Sequence, residues 1–398
     1  MEVLDLKQMA QDAIALHQQG KLDQAEAAYL RILEADPALF GPRYYLGLIR
    51  MQQGRFEEAC TLLGQASTVY PDDLSCLMNY GMALRGAGHF EDALAVFDKV
   101  LAIQPAMPEG LYNRGVALTD LKRYELAVDA FDRALVARPE MMAAIINRAM
   151  SLAAMNRLDD AVAGYSRALA MQPSNLVALV QRGLAYRGLG QREKALADYD
   201  RALALQPDYP EALYNRGVIL MDLQRGPEAL AMFDAVMPVY GNNAEMLNNR
   251  GVALWNLKRP AEALESLELA LAIESNFMEA WGNRGLALRD LACSADALDN
   301  FDKMLVADPG NAVALNARGN VLRDMKRYEE AVDSYSRAYR GAARLCRGAG
   351  QSRLYLVEPQ APRGGAPKGA GTTAGPELSL CPGRIAACVH VCRRLAGL

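Results

Sequence analysis

Small and apolar residues recur along this chain at a fixed interval, in ten contiguous units beginning at 6, 40, 74, 108, 142, 176, 210, 244, 278 and 312. The run Tyr112, Asn113, Arg114, Gly115, Val116 returns at 214–218, an offset of three periods. Position 8 of each unit is Gly or Ala: Ala13, Gly47, Gly81, Gly115, Ala149, Gly183, Gly217, Gly251, Gly285 and Gly319. Position 20 is always Ala, from Ala25 to Ala331, and position 24 is usually aromatic, as in Tyr29, Phe97, Phe131, Tyr165, Tyr199, Phe233, Phe301 and Tyr335. Apolar residues at positions 4, 8 and 11, then at 20, 24 and 27, have the spacing of two amphipathic helices. Small side chains at 8 and 20 let those helices approach closely. Proline at position 32 (Pro37, Pro71, Pro105, Pro139, Pro173, Pro207, Pro309) stops the second helix. Turn glycines such as Gly20, Gly54, Gly88 and Gly190 separate the two. One such hairpin cannot bury its apolar face alone and must stack on its neighbours.

The period replaces the two or three domains that 398 residues would otherwise suggest. It predicts one all-α array over residues 6–340, with a short lead-in at 1–5. Composition removes several alternatives. No apolar run reaches membrane-spanning length, and the first residues lack a signal-peptide pattern. A net charge of −4 argues against a nucleic-acid footprint. Seven scattered cysteines without a C-x-x-C pair fit a reducing, cytoplasmic setting. Phosphate-loop, dinucleotide and zinc-protease motifs are missing, so neither cofactor nor metal nor catalysis is expected of this chain.

With small, aromatic and proline positions in place, the units resemble tetratricopeptide repeats. That resemblance implies a right-handed superhelical solenoid of ten helix-turn-helix units, first helices lining a concave groove and positions 2, 5, 6, 9, 12 and 13 facing it. Position 6 reads Asn79, Asn113, Asn147, Gln181, Asn215, Asn249 and Asn283. A side-chain amide carries an acceptor and two donors and can pair with both polar groups of an extended peptide backbone. The structural alternative is that these asparagines only serve their own helices or turns. The row is similar to the asparagine ladder of O-linked N-acetylglucosamine transferases, where it holds substrate polypeptide. Glu109, Glu211, Glu245 and Glu279 at position 2 resemble the acidic ladder of that family.

Position 7 carries Arg114, Arg148, Arg182, Arg216, Arg250, Arg284 and Arg318. Beside a buried stripe an unpaired guanidinium is costly. At position 25, on the second helix of the same unit, Asp132, Asp200, Asp234, Glu268 and Asp302 offer partners in five of the seven units. A structural ladder of such pairs is expected; a row binding carboxylates or phosphates is the functional alternative. Chaperone-adaptor repeats clamp a carboxylate with lysine at position 5 and asparagine at 9. Here those positions hold residues such as Tyr112, Ile146, Val180 and Tyr214, and Met82, Val116, Val218 and Val252. No clamp is assembled, and position 9 suggests apolar patches for a partner's side chains. Trp255, Trp281 and the acidic pairs Asp159–Asp160 and Glu329–Glu330 read as packing and surface.

The expected function is a protein-interaction scaffold that holds extended polypeptide or a partner segment in the groove. The alternative is the substrate-recognising arm of an O-linked N-acetylglucosamine transferase-like enzyme. Self-association through the terminal units is a third reading. Beyond 340 the pattern stops: position 32 is Ala343, and a Gly/Pro/Arg-rich stretch over 341–383 reads as disordered. Residues 384–398 place Ile385, Cys388, Val389, Cys392 and Leu395 at helical spacing. That segment reads as a short capping helix or as a partner or membrane contact; alternatively the whole tail after Tyr339 is translated out of frame.

Overall fold

The computed structural model describes residues 3–348, and these form twenty α-helices and no strand. Each period is a helical pair, as in Phe40–Gln52 followed by Phe56–Val69. The turn between the helices has one backbone requirement that the composition only half reveals. Position 15 has positive φ in every repeat, at Gly20, Gly54, Gly88 and Gly190, and equally at Lys122, Asn156, Gln224, Lys258, Ala292 and Lys326. The next residue then bonds back to the first helix, as Arg55 N–H does to the Arg50 carbonyl at 2.8 Å. This left-handed cap satisfies carbonyls at the helix end, and its geometry is kept even where a Cβ makes it costly.

The chain divides into two compact units, the first ending at Leu189 and the second beginning at Gly190. Within each, every second helix packs against the first helix of the next repeat, and consecutive first helices also touch. Consecutive second helices make at most marginal contact. The first helices therefore form a continuous face in each unit, and position 6 recurs along it.

The core is what the periodic positions predict. All ten alanines of position 20 are fully buried, and so are most of the large residues of position 24. A Cβ added to Gly115 would lie 2.6 Å from the buried Phe131 ring, and one added to Gly81 would lie 2.5 Å from Phe97. Glycine at these two sites is thus set by packing against the buried ring. Burying each such ring contributes about 2–3 kcal/mol.

Two boundaries differ from the sequence reading. The first helix begins at Val3, inside the lead-in assigned to 1–5. The last runs from Tyr328 to Gly348, two turns past the boundary at 340. No proline interrupts 341–348, and the alanine, arginine and leucine there favour helix. Residues 349–398, which hold the rest of the Gly/Pro/Arg-rich stretch and the 384–398 segment, lie outside the described residues.

Candidate functional site

All seven amides of position 6 lie part-exposed on the first-helix face. Their donors are largely engaged. Asn79 Nδ2 donates to the Ser75 carbonyl at 2.8 Å and to Tyr44 Oη at 2.9 Å. Asn147 Nδ2 donates likewise to the Ala143 carbonyl at 2.9 Å and to Tyr112 Oη at 3.3 Å. Asn249 donates to Tyr214 Oη at 2.9 Å, and Asn283 to Asn248 Oδ1 at 2.9 Å. In each case the partner side chain is position 5 of the preceding repeat. Asn113 and Asn215 donate only to their own Glu109 and Glu211 carbonyls, at 3.0 and 2.7 Å. A carbonyl can only accept, so these bonds place the amide nitrogen inward and fix the flip of the side chain.

Two pairs within the row show the contrast. Asn79 and Asn147 spend both N–H groups internally and keep only the carbonyl oxygen for a ligand. Asn113 and Asn215 keep that oxygen and a second N–H.

The position-2 glutamates are also partly absorbed. Glu245 Oε1 accepts from Tyr214 Oη at 2.8 Å, and Glu279 accepts from Asn248 Nδ2 at 3.3 Å. Glu109 pairs with Arg138 at 2.6 Å. Its own backbone N–H, with a further contribution from Arg138, holds its carboxyl below the ordinary range against the opposing cost of burial. Glu211 is exposed. A second set of rungs joins position 12 to position 13 of the next repeat: Arg85 to Asp120 at 2.5 Å, and Trp255 Nε1 to Asp290 at 2.8 Å. Trp281 Nε1 donates to the Ser275 carbonyl at 2.8 Å.

Position 9 is mixed: Val116 and Val252 are buried, at 8% and 9% exposure, Met82 and Val218 are part-buried, and Met150 is 38% exposed. One expectation is corrected here, because the arginine pairing has a different register. Asp132 is bonded to Arg148, Asp200 to Arg216, Asp234 to Arg250, Glu268 to Arg284 and Asp302 to Arg318, at 2.5–2.9 Å. Arg114 joins Asp98 at 2.6 Å. Each acid thus serves the arginine that follows it, in the next repeat, instead of the one that precedes it in its own. The second helix leans on the following first helix, so the neighbouring guanidinium reaches its acid. Arg182 donates to Ser166 at 3.0 Å in the same sense. Within the repeat, Arg250, Arg284 and Arg318 reach Ser266, Asn300 and Ser334 instead. The acids are about half exposed, so each pair contributes roughly 0.5–1 kcal/mol.

A third inter-repeat contact went unread in the sequence. Arginine at position 26 bonds the proline carbonyl of the preceding repeat, as Arg133, Arg167 and Arg337 do for Pro105, Pro139 and Pro309. Arg43, at position 4 of a first helix, does the same for Pro37. The recurrence of arginine at position 26 was the available signal. On the second-helix side, a groove of about 580 Å³ is lined by Ile145, Leu135, Val136 and Gly164 among paired charges. Among the described residues no cluster of His, Cys, Asp and Glu could hold a metal ion, and no helix is long and apolar enough to cross a membrane.

Family models described as tetratricopeptide repeat match residues 13–39, 42–106, 78–141, 244–277 and 283–344, and one described as TPR repeat matches 183–224. No curated protein matches the chain. Among solved structures, a tetratricopeptide repeat protein from Parabacteroides merdae is 19% identical over 63% of this chain and 98% of its own, with a TM-score of 0.54. PilF of Pseudomonas aeruginosa is 16% identical over 52% of this chain and 94% of its own, at a TM-score of 0.47. MamA of Desulfovibrio magneticus (residues 41 to the end) is 26% identical over 43% and 97%, at 0.40. The first of these likenesses concerns the fold.

Proposed function

Because this chain belongs to the tetratricopeptide-repeat family, we propose that it is a protein-interaction scaffold whose first-helix face holds extended polypeptide. One observation carries the reading: each of the six asparagines of position 6 bonds inward through its amide nitrogen and leaves its oxygen uncommitted. A helix gains little from mid-helix asparagine, whereas a row of free acceptors at repeat spacing suits the N–H groups of an extended backbone. Each such bond contributes about 0.5–1.5 kcal/mol. Ordering a flexible chain offsets much of the sum, so affinity is modest and grows with the length engaged.

The position-7 arginines act as structure in this reading. Their charges meet acids of the adjoining repeat, which leaves them to hold repeats in register while the amides meet the ligand. The repeats bind and do not catalyse.

The test is capture of an unfolded polypeptide, such as reduced carboxymethylated lactalbumin, by the wild type and by Asn113→Ala/Asn215→Ala/Asn249→Ala. The triple variant is expected to keep its far-UV circular dichroism and to lose most of the capture. Undiminished capture with intact helicity would overturn the reading.

A further inference from the structure

In the repeat that begins at Pro108, position 2 and position 31 form an internal ion pair, Glu109 with Arg138. In the repeat that begins at Pro210 the acid remains, as Glu211, but position 31 is Tyr240. Among the described residues the Glu211 carboxylate makes no ion pair, and its side chain is exposed. Around it the second unit gathers aromatic rings. Tyr214 and Tyr240 lie edge to face with centroids 6.1 Å apart, both half-buried. Glu211 stands three residues before Tyr214 on the helix Pro210–Asp222, so the carboxylate and that ring share one helix face; burial chiefly, and then the Glu211 charge, raise the Tyr240 hydroxyl above its ordinary value. A second carboxylate, Glu245, accepts from Tyr214 Oη. The adjoining Asn249 amide bonds the same phenol.

The corresponding corner of the first unit is built differently. Tyr44 and Tyr70 occupy the same positions, but Phe40 packs between them, stacked on Tyr44 at 5.6 Å and edge-on to Tyr70 at 4.9 Å. Position 2 there is Gly41, so the acid is missing as well. Only the later repeat joins phenol faces to an acid without its internal cation.

We propose that this corner is a subsite for a cationic side chain, arginine or lysine, of the polypeptide held on the face, filling the place that the Arg138 guanidinium takes beside Glu109. Charge complementarity identifies the occupant. Phenol faces attract a cation through the ring quadrupole, and Glu211 supplies the opposite charge. A neutral apolar side chain would leave Glu211 as it is and gain only ring contact. The inference rests on the polypeptide-binding reading and adds a preference for charge to it.

The experiment compares two blocked glycine–serine peptides, one carrying arginine and the other citrulline at the same place, each titrated against the full chain. Citrulline keeps the planar shape and loses the charge. The wild type is expected to hold the arginine peptide about fivefold more tightly, as one exposed cation–π contact and one surface ion pair together provide. Tyr240→Arg, which rebuilds the internal pair of the other repeat, and Glu211→Gln are each expected to keep the wild-type helicity and to abolish that preference, the arginine peptide then binding no more tightly than the citrulline peptide. Equal binding of both peptides by the wild type would overturn the subsite alone. Binding of neither peptide, together with no capture of unfolded polypeptide, would overturn the subsite and the proposed function together.

Discussion

Replacing Gly115 by alanine tests whether close helix approach at position 8 sets the packing of each repeat. The added Cβ would sit 2.6 Å from Phe131 Cε1 and 2.8 Å from Cδ1, and that ring is fully buried. Something has to move, and overpacking of this kind costs about 1–3 kcal/mol. Helix propensity returns about 1 kcal/mol for Gly→Ala, so the net destabilisation is about 0–2 kcal/mol. The first repeat buries Ala13 and Tyr29 fully in one cluster, so alanine at position 8 is compatible with a buried ring, which favours the lower part of that range. The repeat beginning at 142 shows a compensating arrangement. Ala149 occupies position 8, and glycine stands at position 23, where a Cβ on Gly164 would be 2.8 Å from that of Ala149. In the repeat beginning at 108 position 23 is the fully buried Ala130. Gly115→Ala with Ala130→Gly therefore imports the arrangement of the other repeat. In a double-mutant cycle the two propensity changes cancel, and steric relief leaves a favourable coupling of about 1 kcal/mol or more. The assay is urea unfolding followed by far-UV circular dichroism, fitted to a nearest-neighbour scheme because repeat arrays need not unfold in two states. Strict additivity of the two changes would refute the reasoning. So would a Gly115→Ala variant stabilised by the full propensity gain.

Ala292→Gly is expected to stabilise the chain by about 1 kcal/mol, because Ala292 holds φ at 62° in the turn where other repeats place glycine; a lower urea midpoint would count against this. Double-mutant cycles on Glu268 should give a coupling of about 0.5–1 kcal/mol with Arg284 and almost none with Arg250, and the reverse result would restore the pairing inferred from the sequence. Glu26 is bonded to the nearly buried Arg50 at 2.6 Å, and chiefly that bond lowers its carboxyl below the ordinary value of 4.5. Its contribution is therefore complete above about pH 4.5 and is lost as the pH falls through the depressed folded value. The stability difference between wild type and Glu26→Gln should then be constant from neutral pH down to that range and shrink below it, as urea midpoints across a pH series would show.

Most of the fold follows from local chemistry repeated in phase. Alanine at position 20 and a large ring at position 24 need only the helical period and the repeat period to become a core. Glycine at position 15 in four repeats announced the turn. In the other six the left-handed backbone falls on Lys, Asn, Gln or Ala; of these only Asn156 carries such a signal, and at the rest the cap bonds hold the backbone there.

The amino-acid sequence by itself determined that there are ten helical pairs, which residues their interfaces bury, and which amides and charges recur on each face. Only the tertiary structure decided how those polar groups are spent. An acid at position 25 lies almost midway along the chain between the arginine of its own repeat and that of the next, and the lean of each second helix on the following repeat selects the later one. The amides of Asn79 and Asn113 look alike in the sequence. Tyr44 stands beside one and Met78 beside the other, so one amide keeps a donor for a ligand and the other does not. Glu211 likewise differs from Glu109 only through the side chain that a helix end brings to it from position 31. Hydrogen bonds and ion pairs depend on distance across repeats, and periodicity along the chain does not specify that distance.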